Sequence, residues 1–525
     1  MFTKYSSHII SVLAICFFAS YGLLGQAVTP NQKKDKGKNS ALTSDDKKTG
    51  EKPPVSKGKG NILKTIEDDG SDPLPFEINV SKRLTDYDIK RKKVGSFFTG
   101  LPLLNSDPNN GIGYGVRVFY FQNKDQKDPF FEYTPYRYRV FGQYFRTTLN
   151  AQAHWASFDA PYIFDTQWRI RADFLYERNP NFLYFGVGED TLLPLSYHEN
   201  NDESRPLRQN ATFSEYMDAG LYKRPGDAGQ APFVSDSKYN RYEMENPNAN
   251  LSSERSFFGG IVRLVAGTRL SRQIVRTFDG QSTLAKDPIF GDQFLPDIAN
   301  TVPNGTTLLT EEARAGKIRG INGGNLNTIR AGLVYDTRDF EPDPNSGIFL
   351  ETTHERSMKS IGSEYEFNRN LASGRFFYSP APNVFKKLVV AGRATVVQTN
   401  GDAPFYEYRN MWGTEGNQVG LGGRTTLRGY KQDRFLGQVM GFGNLELRWK
   451  FASIATEKST FDFQIVPFVD FGRVWDGAER MNLKDYKYSY GLGFRIPWNQ
   501  STIIYFDYAI SREDRQLFVN FQHIF

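Results

Sequence analysis

Cysteine is almost missing from this chain: of 525 residues only Cys16 is one. It lies in an apolar amino-terminal stretch behind Ile15, a poor residue to precede a lipidation site. The rest of the chain has no thiol for a disulfide framework or a thiolate metal site. Long hydrophobic runs are absent too. Past residue 27 nothing approaches the roughly 18 apolar residues a membrane helix needs, so any crossing of a bilayer falls to strands. Histidine is scarce, at five residues, and His154, His198 and His354 are scattered. In His354-Glu355-Arg356-Ser357 neighbouring side chains alternate faces on a strand and cannot converge into a hydrolytic triad. With no metal-ligand or phosphate-loop spacing either, the sequence predicts no enzyme, no cofactor and no metal. The formal charge of +6 is too small at this length to imply nucleic acid.

What the chain does have is aromatics and glycine. Phe, Tyr and Trp make up 15%, with 28 Tyr, 43 Phe and 47 Gly, while hydrophobic residues reach only 39%. A mean hydropathy of −0.53 is odd for a helical membrane protein. It suits a barrel with a polar lumen and aromatic girdles at its two interfaces.

The amino terminus reads as an export signal: Lys4 supplies charge, Ile9 to Leu24 the apolar core, and Gly25-Gln26-Ala27 a small-x-small cleavage site. Residues 28 to about 75 are rich in Lys, Gly, Ser, Pro and Asp and cannot bury a core, so this tail is expected to be disordered. The division predicted is a signal peptide over 1–27, a disordered Lys-rich periplasmic tail and linker over 28–90, and a barrel over 91–525.

Alternation supports the barrel. From Gln438 onward Val439, Gly441, Gly443, Leu445, Leu447, Trp449 and Phe451 are apolar or small, while Asn444, Glu446, Arg448 and Lys450 are charged or amide. The closing segment places Leu517, Val519, Phe521 and Phe525 on one face, with His523 in the same series, and Asn520 and Gln522 on the other. One face suits lipid and the other water. About sixteen such segments recur between Val94 and Phe525, an even number as bacterial barrels require. The prediction is therefore an all-β, transmembrane antiparallel barrel, closed by pairing Gly95–Leu101 with Gln516–Phe525. Three long connections, near 189–238, 277–324 and 398–437, alternate with short turns.

The last of these carries Gly422-Gly423-Arg424-Thr425-Thr426-Leu427-Arg428-Gly429-Tyr430, and Phe468-Val469-Asp470-Phe471-Gly472 lies on the next strand but one. An arginine in a partly dehydrated lumen needs a carboxylate. The pattern resembles the BamA/TamA superfamily of outer-membrane assembly factors, the bacterial surface antigen barrel. Those proteins fold a Val/Ile-Arg-Gly-Phe/Tyr loop into the lumen against a Phe/Gly-x-Asp-x-Gly strand, and this chain departs conservatively with Leu427. Tyr335-Asp336-Thr337-Arg338-Asp339 with Pro344-Asn345-Ser346-Gly347 looks like the family's first conserved hairpin, and the resemblance is strongest over 330–525.

The resemblance implies a lumen-loop motif of Leu427, Arg428, Gly429 and Tyr430, with Asp470, Gly472 and Glu446 as its partners. It also implies a carboxy-terminal assembly signal at Phe521 and Phe525. The function implied is outer-membrane protein insertion, polypeptide translocation or lipid handling, in the outer membrane of a Gram-negative-type envelope. Partners implied are outer-membrane lipids and the assembly machinery. A passive porin or surface adhesin is the other reading. Family members usually carry periplasmic POTRA modules, and the polar stretch before the first strand is too short for one. A separate periplasmic subunit is the expected replacement.

Overall fold

The computed structural model describes residues 73–84, 86–107, 110–220, 223–225, 233–284, 301–380, 388–456, 459–499 and 502–525. The export signal and the Lys-rich tail to residue 72 lie outside the described residues. Sixteen antiparallel strands form one sheet in chain order. They are β1 Ser96–Asp107, β2 Gly111–Gln122, β3 Tyr138–Thr147, β4 Gln152–Ala160, β5 Trp168–Leu183, β6 Arg241–Phe257, β7 Val262–Arg276 and β8 Gly324–Asp336. The second half adds β9 Gly347–Ser357, β10 Phe367–Tyr378, β11 Leu388–Gly401, β12 Val439–Ala455, β13 Thr460–Trp475, β14 Lys487–Trp498, β15 Thr502–Ile510 and β16 Arg515–Phe521.

Each strand follows its sequence parity. On β12, Leu445, Leu447, Trp449 and Phe451 are between 40% and 47% exposed, whereas Asn444, Glu446 and Arg448 are at most 2% exposed. The charged series faces inward and the apolar series outward, as a spanning sheet must be arranged when one face meets hydrocarbon. The strands β5 and β6 run well past the alternating segments that the sequence predicts, to Leu183 and Phe257. They pair along their length except for a bulge between Tyr242 and Met244.

The expected pairing of the first strand with the last is not what the structure contains. Among the described residues no backbone ladder joins β1 to β16, and the two strands stand at the ends of the sheet order. Thr99 Oγ1 instead meets Thr502 Oγ1 of β15 at 3.1 Å, and the ring of Phe521 packs on Phe119 at 5.8 Å. Beyond β16, Gln522 with a φ of +66° ends the extended path. The last residues turn inward, so Phe521 and Phe525 are buried and do not join Leu517 and Val519 on the lipid face. Ile524 and Phe525 pack with Phe377, Val389, Ala391 and Tyr505. The His523 side chain is buried too and bonds Asp343 at 3.0 Å, not lipid-facing as its parity suggests.

The linker reading also needs correction over 73–90. Residues Val80–Lys82 form a 3-10 turn and Asp86–Arg91 a short helix, α1, and both lie against the barrel's short turns. Phe76 packs against Phe130 and Tyr162, at 5.5 and 5.4 Å. Lys82 Nζ reaches Asp336 at 3.1 Å, and Arg91 reaches Asp462 at 3.0 Å. Lys92 donates to the carbonyls of Phe131 and Thr134. Composition hid this order because its energy comes from contacts to distant turns and not from a core of its own.

Burial gives this segment a pH dependence. It pushes the Lys92 ammonium down to about 7, Asp128 and Glu132 opposing the shift and Arg137 adding to it. It also pushes Lys82 down to about 8, Asp336 opposing while Arg263 and Arg338 reinforce. A lysine free in water titrates near ~10.4, so between about pH 7 and that value the released segment binds more protons than the seated one. Seating is then expected to strengthen as pH rises through this window and to be flat below it. Hydrogen exchange of the Leu84 amide, corrected for intrinsic rate, should show protection increasing from pH 6.5 to pH 9. Protection that falls with pH would contradict the assignment.

Candidate functional site

The connection from β11 to β12, residues 402–438, enters the barrel from the side of the long loops. It fills much of the interior. Its tip is a small hairpin, Met411–Gly413 paired with Gly416–Gln418, held to β9, two strands from β11 in the sheet. Thr353 Oγ1 donates to the Trp412 carbonyl at 2.9 Å, and the Thr414 amide donates to Glu351 at 2.8 Å. Glu415 reaches the far end of the lumen, where Arg375 donates to it at 2.6 Å and Arg338 also bonds it. Arg338 in turn is paired with Asp336.

The returning limb carries the motif. A tight turn brings Gly423 N to the Tyr430 carbonyl at 2.8 Å, and Thr426 Oγ1 bridges Gly420 and Gly422. Leu427 and Tyr430 are thereby set into an apolar cluster with Leu421, Phe435, Met440 and Phe442, and Arg428 is left pointing at the wall. Its side chain is fully buried. Nε donates to Asp470 Oδ2 at 2.8 Å and Nη2 to Asp470 Oδ1 at 2.7 Å, a bidentate fork. The Arg428 backbone amide donates to the same carboxylate at 3.1 Å. Nη1 reaches Glu446 at 2.9 Å and Asp507 at 2.7 Å, and the guanidinium lies 3.4 Å over the Phe468 ring.

The second rank balances the charge. Arg448 pairs with Glu446 at 2.9 Å, and Arg495 pairs with both Glu446 and Asp507. Three guanidinium groups thus face three carboxylates. Asn444 Nδ2 joins the Thr426 carbonyl to Asp470. Gly472 leaves room for the loop, since a Cβ there would stand 3.2 Å from Leu421. The arrangement locks a loop by charge-assisted hydrogen bonds that strand motion would break together. It presents no nucleophile and base pair.

Asp470, Glu446 and Gly472 meet the Arg428 loop as their strand parity allows. Asp507 was missed, although it is the only charged residue among the apolar ones of β15 and lies on the inward series. Also missed was Arg434, which clamps the base of the loop. It forks onto Glu513 at 2.7 and 2.9 Å and donates to the Thr191 carbonyl of the long β5–β6 connection. Phe525 and Phe521 lie far from Arg428 in sequence, yet the tail approaches the same cluster. Arg448 donates to the Phe525 carbonyl at 3.1 Å and Arg393 to that of Ile524 at 3.0 Å. His354 points outward to Asn370, His154 stacks on Tyr144, and His198 bonds Arg205, so the three share no site.

Residues 141–522 match the Omp85 superfamily domain, and residues 74–137 match a domain of unknown function, DUF5982. The chain is 27% identical over 186 residues to the outer membrane protein assembly factor BamA of Nitratidesulfovibrio vulgaris. That match covers 33% of this chain and 22% of the relative's length. A crystal structure of BamA from Haemophilus ducreyi lacking POTRA domains 1–3 aligns with a TM-score of 0.42 at 12% identity, over 82% of this chain and 69% of that one. CdiB from Escherichia coli aligns with a TM-score of 0.42 at 11% identity, over 81% and 62%.

Proposed function

Because the chain belongs to the Omp85 superfamily of outer-membrane barrels, we propose that it inserts or translocates polypeptides, or handles lipid, through a lumen gated by the inward-folded Leu427–Tyr430 loop. The observation that carries this reading is the three-carboxylate grip on Arg428, reached from β12, β13 and β15 at once. A loop tied to three strands releases or seats as those strands move, which is a means of coupling wall to lumen. The seam between β1 and β16, which has no backbone ladder among the described residues, leaves the wall a place to move. A passive porin or adhesin has no use for a loop that fills its own lumen, which is why that alternative is second.

Within this proposal the protein is not an enzyme and takes no cofactor. It is exported by the leader read at 1–27. It works among outer-membrane lipids and assembly machinery, with a separate periplasmic subunit. Phe525, with Phe521, serves as the signal for the assembly machine before the barrel closes, because in the folded protein both are buried. Deleting Phe525 should then lower membrane levels while synthesis is unchanged. Normal amounts of heat-modifiable barrel after the deletion would remove that role.

The gating test uses Asp470→Asn. Conductance in planar bilayers should become larger or noisier than the quiet wild type. In a double-mutant cycle with Arg428 the two positions should couple by about 1–2 kcal/mol or more, the range of a charge-assisted hydrogen bond. Additive effects, with constant large conductance in the wild type, would favour the porin.

A further inference from the structure

Residues 76–92 lie across the mouth of the barrel on the side of the short turns, with Ile78 and Leu84 buried and hydrogen bonds running to the turns. The Asn79 and Leu84 amides donate to the carbonyls of Gly259 and Glu132, each in a turn between strands. Lys82 donates to the Arg338 carbonyl and pairs with Asp336. Arg83 bonds Glu132 at 2.5 Å, and Arg91 bonds Asp462 at 3.0 Å. In each of these contacts the segment donates and the barrel accepts. Gly259 has a φ of +67°, and a Cβ there would collide with the Asn79 nitrogen, so the barrel turn is shaped to let a strand of chain lie close.

The acceptors belong to the barrel and stay behind if the segment leaves. Asp336 and Asp462 each keep their own cationic neighbours, Arg338 and Lys450, so vacating the mouth leaves them paired and not stranded. Neither carboxylate therefore depends on the segment for its only charge partner, the condition under which a vacated site survives. From this geometry we infer that the mouth is a binding site for a polypeptide segment, and that residues 76–92 occupy it as a displaceable resident ligand. The features read by the site are an aromatic side chain, packed where Phe76 meets both Phe130 and Tyr162, followed by hydrogen-bond donors at the spacing of Lys82 and Arg91. Asp336 also contacts Arg338, which bonds Glu415 at the tip of the lumen hairpin, so an occupant of the mouth touches the chain of contacts leading to the loop. Occupancy of the mouth is independent of what the lumen loop gates.

The test uses the full-length chain in lipid nanodiscs with Cys16→Ser and Leu84→Cys, since Leu84 is buried while the segment is seated. A membrane-impermeant maleimide should label the thiol introduced by Leu84→Cys slowly. Lys82→Ala with Arg91→Ala should raise the labelling rate about ten-fold or more, the factor expected for loss of a charged hydrogen bond. Asp462→Asn, which alters only the barrel side, should raise it in the same direction. A synthetic peptide of residues 74–93 should raise labelling of the chain that carries no further substitution at about millimolar concentration, matching the effective concentration of a tethered segment. A scrambled peptide of equal composition should not. Unchanged labelling in the substituted chains would show a fixed part of the fold, and equal action by the scrambled peptide would show charge attraction without a site. Either result overturns the inference.

Discussion

Replacing Arg428 with leucine is expected to destabilise the barrel by about 3–5 kcal/mol, the usual loss when one member of a buried ionic group is removed. The change strands Asp470, whose two oxygens both accept from Arg428. It also leaves Glu446 and Asp507 with only Arg448 and Arg495. Unlike a pair at the surface, these groups are shielded from solvent, so bulk water does not take the place of the lost guanidinium. Chemical unfolding in detergent, followed by the heat-modifiable band shift, measures the loss. Arg428→Lys should recover only part of it, because a single ammonium cannot reproduce the fork onto Asp470 together with the bonds to Glu446 and Asp507. A loss below about 1 kcal/mol would place the cluster in the range of solvent-screened pairs and would remove the grip on which gating depends.

Gly422→Val is expected to be as severe by a different route. Gly422 has a φ of +112°, and a Cβ there would collide with the Lys431 carbonyl oxygen, with the Arg434 backbone nitrogen at 3.2 Å beside it. Positive φ at a β-branched residue costs about 1–3 kcal/mol by itself, and the displaced carbonyl belongs to the turn that aims Arg428. The loop should therefore fail to seat while the sheet still forms. Trypsin added to intact cells should cut at Arg424 or Lys431 in the variant and leave the wild type whole. Thr426→Ala, which removes a buried hydroxyl bonded within the same turn, should loosen it by only about 1 kcal/mol. Protease resistance equal to the wild type in Gly422→Val would mean that the turn tolerates another path.

Much of the architecture is legible in the sequence because a spanning strand has only two faces. Parity alone assigns Leu445 and Leu447 to lipid and Glu446 and Arg448 to the lumen, and the sheet obeys it. An arginine in a loop that enters the lumen needs a carboxylate, so Arg428 with Asp470 and Glu446 followed from charge and face. Asp507 did not. It lies 79 residues from Arg428, and which inward residue of β15 stands level with which inward residue of β12 is set by the stagger of the whole sheet, to which local pattern is blind.

The inward turn of the tail shows the same limit. From parity Phe521, His523 and Phe525 continue the lipid face of Leu517 and Val519. In the structure, one left-handed residue, Gln522, ends the alternation, and contacts made by Arg393 and Arg448 stabilise the result. The segment 76–92 is the third case: without apolar periodicity it reads as linker, and only the turns it lies on give it order. Local pattern was enough for the strands, their inward and outward faces, and the arginine that the lumen must neutralise, because those depend on residues near one another and on the solvent each face meets. The partners of Arg428 beyond Asp470 and Glu446, the unladdered seam, the buried tail and the occupied mouth came from the folded barrel alone, because each is a meeting of chain segments far apart in sequence, and closing the sheet is what brings them within hydrogen-bond reach.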